Sequence, residues 1–244
     1  LIMIDAAKRA SAGRITAVVP FYSYARTDKK DQPRVPITGR LVADLLETAG
    51  ADRVVMVDLH AGQVQGFFKV PVDELTAMPR LVEYFQDKSV EDCVVVATDI
   101  GISKKARDFA NWINVPLAIV EKRRMGNNDK VQSLNVIGDV ASKNIILFDD
   151  EISSGGTMIA AAEAIHKAGA KDIYAVATHG VLPGDSANKL VKNSYIKEFV
   201  VTDSVPIDSN KQHEKIKIIS IAPLLGEAIR RIHEGKSVGQ LFTH

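Results

Sequence analysis

The segment 144–160 constrains the fold of this chain more than any other stretch. Residues 145–148 form a short apolar run, which is typical of a strand buried on both faces of a sheet. Two aspartates and a turn of small residues follow, and a helix is predicted over 158–168 with Gly169 at its end. A strand, a tight turn and a helix in this order predict a parallel α/β unit.

The turn has the chemistry of an anion site. Adjacent glycines let the backbone bend and let a ligand come close, and the helix behind them offers unpaired N–H groups. Hydroxyl groups add donors, and the two carboxylates suit sugar hydroxyls or a hydrated magnesium ion. A phosphate and a diol together describe a ribose 5-phosphate, although a plain strand–turn–helix with solvated acids has the same pattern. The predicted residues are Asp149, Asp150, Ser153, Ser154, Gly155, Gly156 and Thr157.

Composition limits the class of protein. A chain of 244 residues suits one large or two small α/β domains. The net charge of +1 gives no field that would attract nucleic acid or a membrane surface. A single cysteine, Cys93 in an apolar run, excludes a disulfide framework and a thiolate metal cluster and fits a reducing cytosol. We therefore expect a cytoplasmic protein without nucleic-acid or membrane partners.

Strand-like and helix-like runs alternate along the chain, which predicts mostly parallel sheets flanked by helices. Strands are predicted over 15–20, 53–58, 93–99, 116–121, 144–150, 173–178, 198–203 and 216–221. Helices are predicted over 1–12, 37–49, 77–85, 104–113, 158–168, 186–192 and 223–233. Periodicity is weakest over 70–78, where Pro71 favours a hinge between two domains.

The motif at 149–157, DDEISSGGT, resembles the phosphoribosyl-binding signature of type I phosphoribosyltransferases. A second string, DLHAGQVQGFF at 58–68, narrows the resemblance to the ribose-phosphate pyrophosphokinase family. The resemblance runs from Leu1 to Phe242. It implies transfer of the diphosphoryl group of ATP to O1 of ribose 5-phosphate, giving phosphoribosyl pyrophosphate (PRPP) and AMP, with Mg²⁺.

The resemblance also implies two phosphoribosyltransferase-like domains. The ATP side would lie on residues 1–74 and the ribose 5-phosphate side on 75–222, with 223–244 a helix and tail that pack back on the first domain. The helix predicted at the start has no capping residue before it, so we expect the first domain to be truncated.

The loop 22–34 follows a predicted strand and carries four cations, so it could bind a polyphosphate. Tyr22 and Tyr24 in this loop could border an adenine. The alternative is an ordinary solvated surface loop. The resemblance implies that ATP contacts this loop and a histidine at the end of the next strand. The same histidine and an aspartate after the third predicted strand would hold Mg²⁺. The ATP residues are Arg26, Thr27, Asp28 and His60, and the metal residues are His60 and Asp99.

Three adjacent cations, 122–124, leave a predicted strand and enter a loop rich in glycine and asparagine. Such charges either face water or meet an anion, because burying them unpaired is costly. The resemblance makes Lys122 and Arg124 the catalytic residues, which neutralise charge on the group that is transferred.

Four residues depart from the family pattern. Thr27 replaces glutamine, Thr98 replaces proline, Ser153 replaces aspartate, and Met125 begins a replacement of Pro-Arg. The departures at Thr27, Ser153 and Met125 keep open a non-catalytic regulatory subunit of the same family. A base phosphoribosyltransferase is a further alternative, although the 58–68 string is foreign to that class. The resemblance implies a homo-oligomer, hexameric in the family, with inorganic phosphate and ADP as effectors.

Overall fold

The computed structural model describes residues 1–124 and 132–241. The chain forms two compact units, one made of Leu1–Ala77 with Pro223–His244 and the other of Met78–Ala222. The predicted α/β class is confirmed: two sheets are flanked by helices, and the pairing of neighbouring strands is parallel except between the fifth and sixth strands.

The elements follow the predicted alternation. The strands are β1 (Thr16–Val19), β2 (Arg53–Val57), β3 (Val72–Leu75), β4 (Cys93–Ala97), β5 (Leu117–Arg124), β6 (Gln132–Ile137), β7 (Asn144–Ile152), β8 (Ile173–Gly180), β9 (Ile196–Thr202) and β10 (Ile216–Ile219). The helices are α1 (Ile2–Arg9), α2 (Thr38–Ala49), α3 (Met78–Lys88), α4 (Ser103–Ile113), α5 (Gly156–Lys167), α6 (Ser186–Lys192) and α7 (Ala222–His233).

The first unit is built on a three-stranded parallel sheet in the order β1-β2-β3. The central strand β2 is buried from Val54 to Val57, and its apolar side chains pack with those of α2 and of the 3₁₀ turn Gly62–Phe67. The last helix belongs to this unit: the Arg14 guanidinium donates to the carbonyl oxygen of Ile232 at 3.0 Å.

The second unit is built on a seven-stranded sheet in the order β10-β9-β8-β7-β4-β5-β6. Alternate residues of the central strands enter two separate apolar clusters, as the two-residue period of a strand requires. Ile145 and Leu147 pack on α5 and α6, whereas Ile146 and Phe148 pack on α3 and α4. The continuous apolar run of β7 therefore reflects burial on both faces, as predicted.

Two strands differ from the sequence-based prediction. β3 lies inside 70–78, where the sequence predicts a hinge; the boundary between the two units falls in the same segment, between Ala77 and Met78. The two acidic residues of β3 hide the strand because they find partners elsewhere: Asp73 pairs with Arg53 at 2.5 Å. β6 was not predicted at all, and it pairs antiparallel with β5. At the central motif β7 continues to Ile152, and α5 begins at Gly156 rather than at residue 158.

Candidate active site

The turn between β7 and α5 joins a glycine bend to the start of a helix. Gly155 is the residue before α5 and has a φ of 78°, in the left-handed region that glycine adopts without strain. Ser154, Gly156 and Thr157 are exposed around it, and Ser153 is half-buried. The N–H groups of the first turn of α5 lie behind these hydroxyls, so a phosphate is favoured at this point.

Gly155 also packs closely against a side chain of α6. A Cβ atom built on Gly155 would lie 2.5 Å from Cδ2 of Leu190, which is closer than real Cβ contacts allow. Leu190 is itself buried in the core beneath the turn. Space and backbone conformation therefore both demand glycine here.

The two aspartates of the motif lie within β7, as the predicted strand 144–150 has them, and β7 continues to Ile152. The two differ in burial: Asp150 is 3 % exposed and Asp149 is half-buried. A hydrogen bond between their side chains is one of the causes that raise the pKa of Asp149. Oδ2 of Asp149 accepts a hydrogen bond from the Thr98 hydroxyl at 2.7 Å, and Oδ1 accepts one from the N–H of Asp150 at 2.9 Å.

Burial raises the pKa of Asp149 to about 7, and the neighbouring Asp150 charge adds to the rise, while the Thr98 hydrogen bond opposes it. Burial has this effect because a low-dielectric site disfavours the charged form of a carboxyl group. The folded environment therefore favours the protonated form of Asp149 more than water does.

Asp99 follows β4, the strand next to β7, and is half-buried. Its Oδ1 accepts a hydrogen bond from the N–H of Ile102 at 3.2 Å, so the carboxylate also orders the turn that leads into α4. This contact leaves the other carboxylate oxygen for a different partner, which is compatible with the predicted metal role.

His60 follows β2 in the first unit and is exposed, although its neighbours Leu59 and Ala61 are buried. The turn after β2 is held by two acidic residues. Asp58 has a φ of 43°, and its Oδ2 accepts the N–H of Ala77 at 2.9 Å. Glu74 on β3 accepts the N–H of Leu59 at 2.9 Å and the side-chain amide of Gln65 at 2.5 Å.

The loop proposed to face ATP is tied to the same unit by its own polar groups. The Thr27 hydroxyl donates to the Tyr24 carbonyl at 2.9 Å and accepts the N–H of Gly39, in the first turn of α2, at 3.1 Å. Asp28 accepts a hydrogen bond from Gln63 of the 3₁₀ turn, and Arg26 is exposed.

Tyr22 is not available to an adenine, contrary to expectation. It is 3 % exposed, its hydroxyl donates to the Gly39 carbonyl at 2.8 Å, and burial raises its pKa to about 12. Its ring meets that of Phe68 edge to face. Tyr24 is the exposed aromatic residue of this loop, with 45 % of its surface accessible.

The predicted catalytic residues lie at the end of β5. The backbone of Lys122 pairs with Leu134, and that of Arg124 pairs with Gln132. Their side chains lie outside the described part of the chain, as does all of Met125. Their roles remain predictions from the sequence.

Sequence reasoning missed three residues that shape the site: Thr98, Glu74 and Leu190. Thr98 was noted only as a departure from a proline, and Glu74 was assigned to a hinge. Each acts across strands or helices that are distant in sequence, so no local pattern identifies it.

In the part of the chain that the structure describes, three or more His, Cys, Asp or Glu side chains do not gather in an arrangement that could hold a metal ion. Mg²⁺ commonly uses one or two carboxylates together with water and substrate phosphates, so a dedicated cage is not required. Over the same residues, every helix is too short or too polar to cross a membrane.

Comparison with known proteins decides the family. Residues 1–50 match the N-terminal domain of ribose phosphate pyrophosphokinase, and residues 123–243 match the phosphoribosyl synthetase-associated domain. A ribose-phosphate pyrophosphokinase of Caldanaerobacter subterraneus subsp. tengcongensis is 54% identical over 244 residues, covering 100% of this chain and 77% of the relative. The chain belongs to the ribose-phosphate pyrophosphokinase family.

Other members of this family agree. The ribose-phosphate pyrophosphokinase of Bacillus subtilis is 48% identical over 100% of this chain and 76% of its own length. The crystal structure of the phosphoribosylpyrophosphate synthetase from Mycobacterium smegmatis superposes with a TM-score of 0.89 at 47% identity, covering 96% of this chain and 76% of that one. The resemblance stated from the sequence is therefore confirmed.

Proposed function

We propose that this member of the ribose-phosphate pyrophosphokinase family transfers the diphosphoryl group of ATP to O1 of ribose 5-phosphate. The O1 hydroxyl attacks the β-phosphorus and loses its proton, the bond from that phosphorus to the α,β-bridging oxygen breaks, and AMP leaves. PRPP is the second product. The observation that carries the proposal is the β7–α5 turn, where a helix start suited to an anion adjoins the hydrogen-bonded carboxylate of Asp149. This turn occurs in a chain about half identical to named pyrophosphokinases.

The sugar phosphate is assigned to the second unit. The exposed hydroxyls and N–H groups of the turn would bind the 5-phosphate, and the carboxylates of β7 would orient the ribose. Asp149 suits this role best, because it is the less buried of the two and is held by donors on both oxygens. The residues assigned to ribose 5-phosphate are Asp149, Asp150, Ser153, Ser154, Gly155, Gly156 and Thr157.

ATP is assigned to the loop of the first unit and to the turn after β2. Arg26 and Asp28 would contact the nucleotide together with His60. We assign Thr27 to the same site, where its hydroxyl already ties the loop to α2. Lys122 and Arg124 would neutralise charge on the diphosphoryl group, since phosphoryl transfer is mostly positioning and charge stabilisation.

Mg²⁺ fits the donor set only in part. Asp99 offers a carboxylate oxygen, the kind of ligand that this hard cation prefers. His60 is exposed, but imidazole is an unusual magnesium ligand, so its assignment rests on the family resemblance. When bound, Mg²⁺ neutralises charge on the phosphates of ATP. We further propose a cytoplasmic homo-oligomer, hexameric as in the family pattern, with inorganic phosphate and ADP as effectors.

AMP formation from Mg-ATP and inorganic phosphate, with and without ribose 5-phosphate, tests the proposal. We expect AMP only when the sugar is present. Ribose 5-phosphate binding without AMP would favour the regulatory-subunit alternative. Release of pyrophosphate from PRPP and a nucleobase would favour a base phosphoribosyltransferase instead.

A further inference from the structure

We propose that Thr98 is a positioning residue that orients Asp149 toward ribose 5-phosphate; this inference rests on the proposed function. Thr98 is 1 % exposed and directly follows β4. β4 and β7 are neighbours in parallel register, with Ala97 opposite Phe148, so the next residues of both strands lie side by side.

Two hydrogen bonds tie Thr98 to β7. Its N–H donates to the carbonyl oxygen of Phe148 at 3.2 Å, and its hydroxyl donates to Oδ2 of Asp149 at 2.7 Å. The first bond fixes the backbone of Thr98 against β7. Because the Thr98 backbone is held in place, the second bond can hold the Asp149 side chain in one orientation.

The other oxygen of Asp149 accepts the N–H of Asp150 at 2.9 Å, so one donor from each of two strands defines the plane of the carboxylate. A carboxylate oxygen accepts more than one hydrogen bond, so both oxygens keep capacity for sugar hydroxyls. Holding a binding group in one orientation before the ligand arrives removes part of the cost of binding. Thr98 supplies this order from a place that solvent does not reach.

The contact depends on the residue that this chain has at position 98. Proline, for example, has neither a hydroxyl nor an N–H group, so it could form neither bond.

Thr98→Val and Thr98→Ser test the inference in the full 244-residue chain. Valine keeps the shape and the N–H group but loses the hydroxyl, whereas serine keeps the hydroxyl. Calorimetric binding of ribose 5-phosphate without ATP is measured for each. We expect the Kd to rise about tenfold in T98V and to stay within about twofold in T98S, the scale of one hydrogen bond to a charged group. The KM for ATP should stay unchanged in both variants.

Binding in an Asp149→Asn background separates positioning from general packing. If Thr98 acts through the charge and orientation of Asp149, adding T98V to D149N should change the Kd by less than about twofold. A further tenfold loss in that background would contradict the inference. An unchanged Kd in T98V, or equal losses in T98V and T98S, would also overturn it.

Two further arms complete the test. If T98V fails to fold, Thr98→Ala removes the same hydroxyl with a smaller side chain and is judged by the same criteria. If the wild-type chain neither binds ribose 5-phosphate nor forms AMP, the proposed function fails and this inference fails with it. If the wild type binds the sugar and the variants bind equally well, the inference about Thr98 fails alone.

Discussion

Leu190 on α6 lies against Gly155 so closely that a Cβ atom on Gly155 would stand 2.5 Å from its Cδ2 atom. The candidate phosphate turn is thus shaped from inside the unit as well as by its own sequence. Gly155 combines this contact with a φ of 78°. A side chain at position 155 would therefore destabilise the fold in two ways, through backbone strain and through a steric clash with Leu190.

Gly155→Ala should lower the free energy of unfolding by about 2–4 kcal/mol, from left-handed strain and the collision with Leu190 together. It should also weaken ribose 5-phosphate binding, because relief of the collision displaces the turn. Urea unfolding and calorimetric binding check both effects.

Gly156→Ala is the matched control for stability, since its Cβ atom would meet only Ser154 Oγ at an ordinary 3.7 Å. We expect its stability to change by less than about 0.5 kcal/mol. In a Leu190→Ala background, Gly155→Ala should lower the free energy of unfolding by a smaller amount. The collision with Leu190 is then absent, and only the backbone strain at position 155 remains. Equal stability of the two single glycine variants would refute this account.

Asp149→Asn should flatten the dependence of stability on pH. The pKa of Asp149 is raised from its ordinary value to about 7 in the folded chain. At any pH between the ordinary pKa and the raised pKa, the folded state therefore binds more protons than the unfolded state. The wild type should therefore lose stability as pH rises from about 4 through about 7, by about 1.4 kcal/mol for each pKa unit of difference. Stability should be lowest above pH 7, where the buried charge is fully present.

Urea unfolding at pH 5 and pH 8 measures this effect. The fall in stability between the two should be smaller in D149N by about 2–3 kcal/mol. The same fall in both proteins would show that Asp149 titrates at its ordinary pKa.

Lys122→Ala should abolish turnover while ribose 5-phosphate still binds, because the predicted role of Lys122 is to neutralise charge that develops on the transferring group. Steady-state AMP formation and calorimetric sugar binding distinguish the two effects. Lys143→Ala is the control: this lysine precedes β7 and pairs with Asp92 at 2.6 Å. Near-normal turnover in K122A would remove the assigned role.

Thr27→Val should destabilise the chain by less than about 1 kcal/mol, since it removes the hydroxyl that accepts the N–H of Gly39 while the Thr27 carbonyl still accepts that N–H at 3.2 Å. Thr27→Ser should retain most of that stability. Thr48→Val serves as control, because the Thr48 hydroxyl only donates to the Asp44 carbonyl within the same helix. Chemical unfolding compares the three, and equal losses in T27V and T27S would argue against a stabilising role of the Thr27 hydroxyl.

The sequence predicted the β7–α5 unit well because its signals are local. An apolar run, a pair of glycines and a helix-forming stretch can each be recognised from a few consecutive residues. The sequence places the end of this strand at Asp150, two residues too early, because the pairing of β7 with β8 is not visible in the local sequence. Parallel pairing carries the strand two residues beyond Asp150, with Glu151 opposite His179.

Other features depend on partners distant in sequence. β3 was obscured by Asp73 and Glu74, which are acceptable in a strand because Arg53 and the turn after β2 satisfy them. Tyr22 looked like a ligand residue because it lies in a charged loop, but its ring belongs to the core. Local composition cannot reveal a hydrogen bond such as that from Thr98 to Asp149, which spans two strands.

The first unit is assembled from both ends of the sequence, Leu1–Ala77 and Pro223–His244, whereas the second is one continuous segment. During synthesis the ribosome therefore joins every residue of the second unit before it completes α7. We expect the later segment to reach its native state first, while the earlier one waits for its final helix. The order of folding would then run opposite to the order of translation.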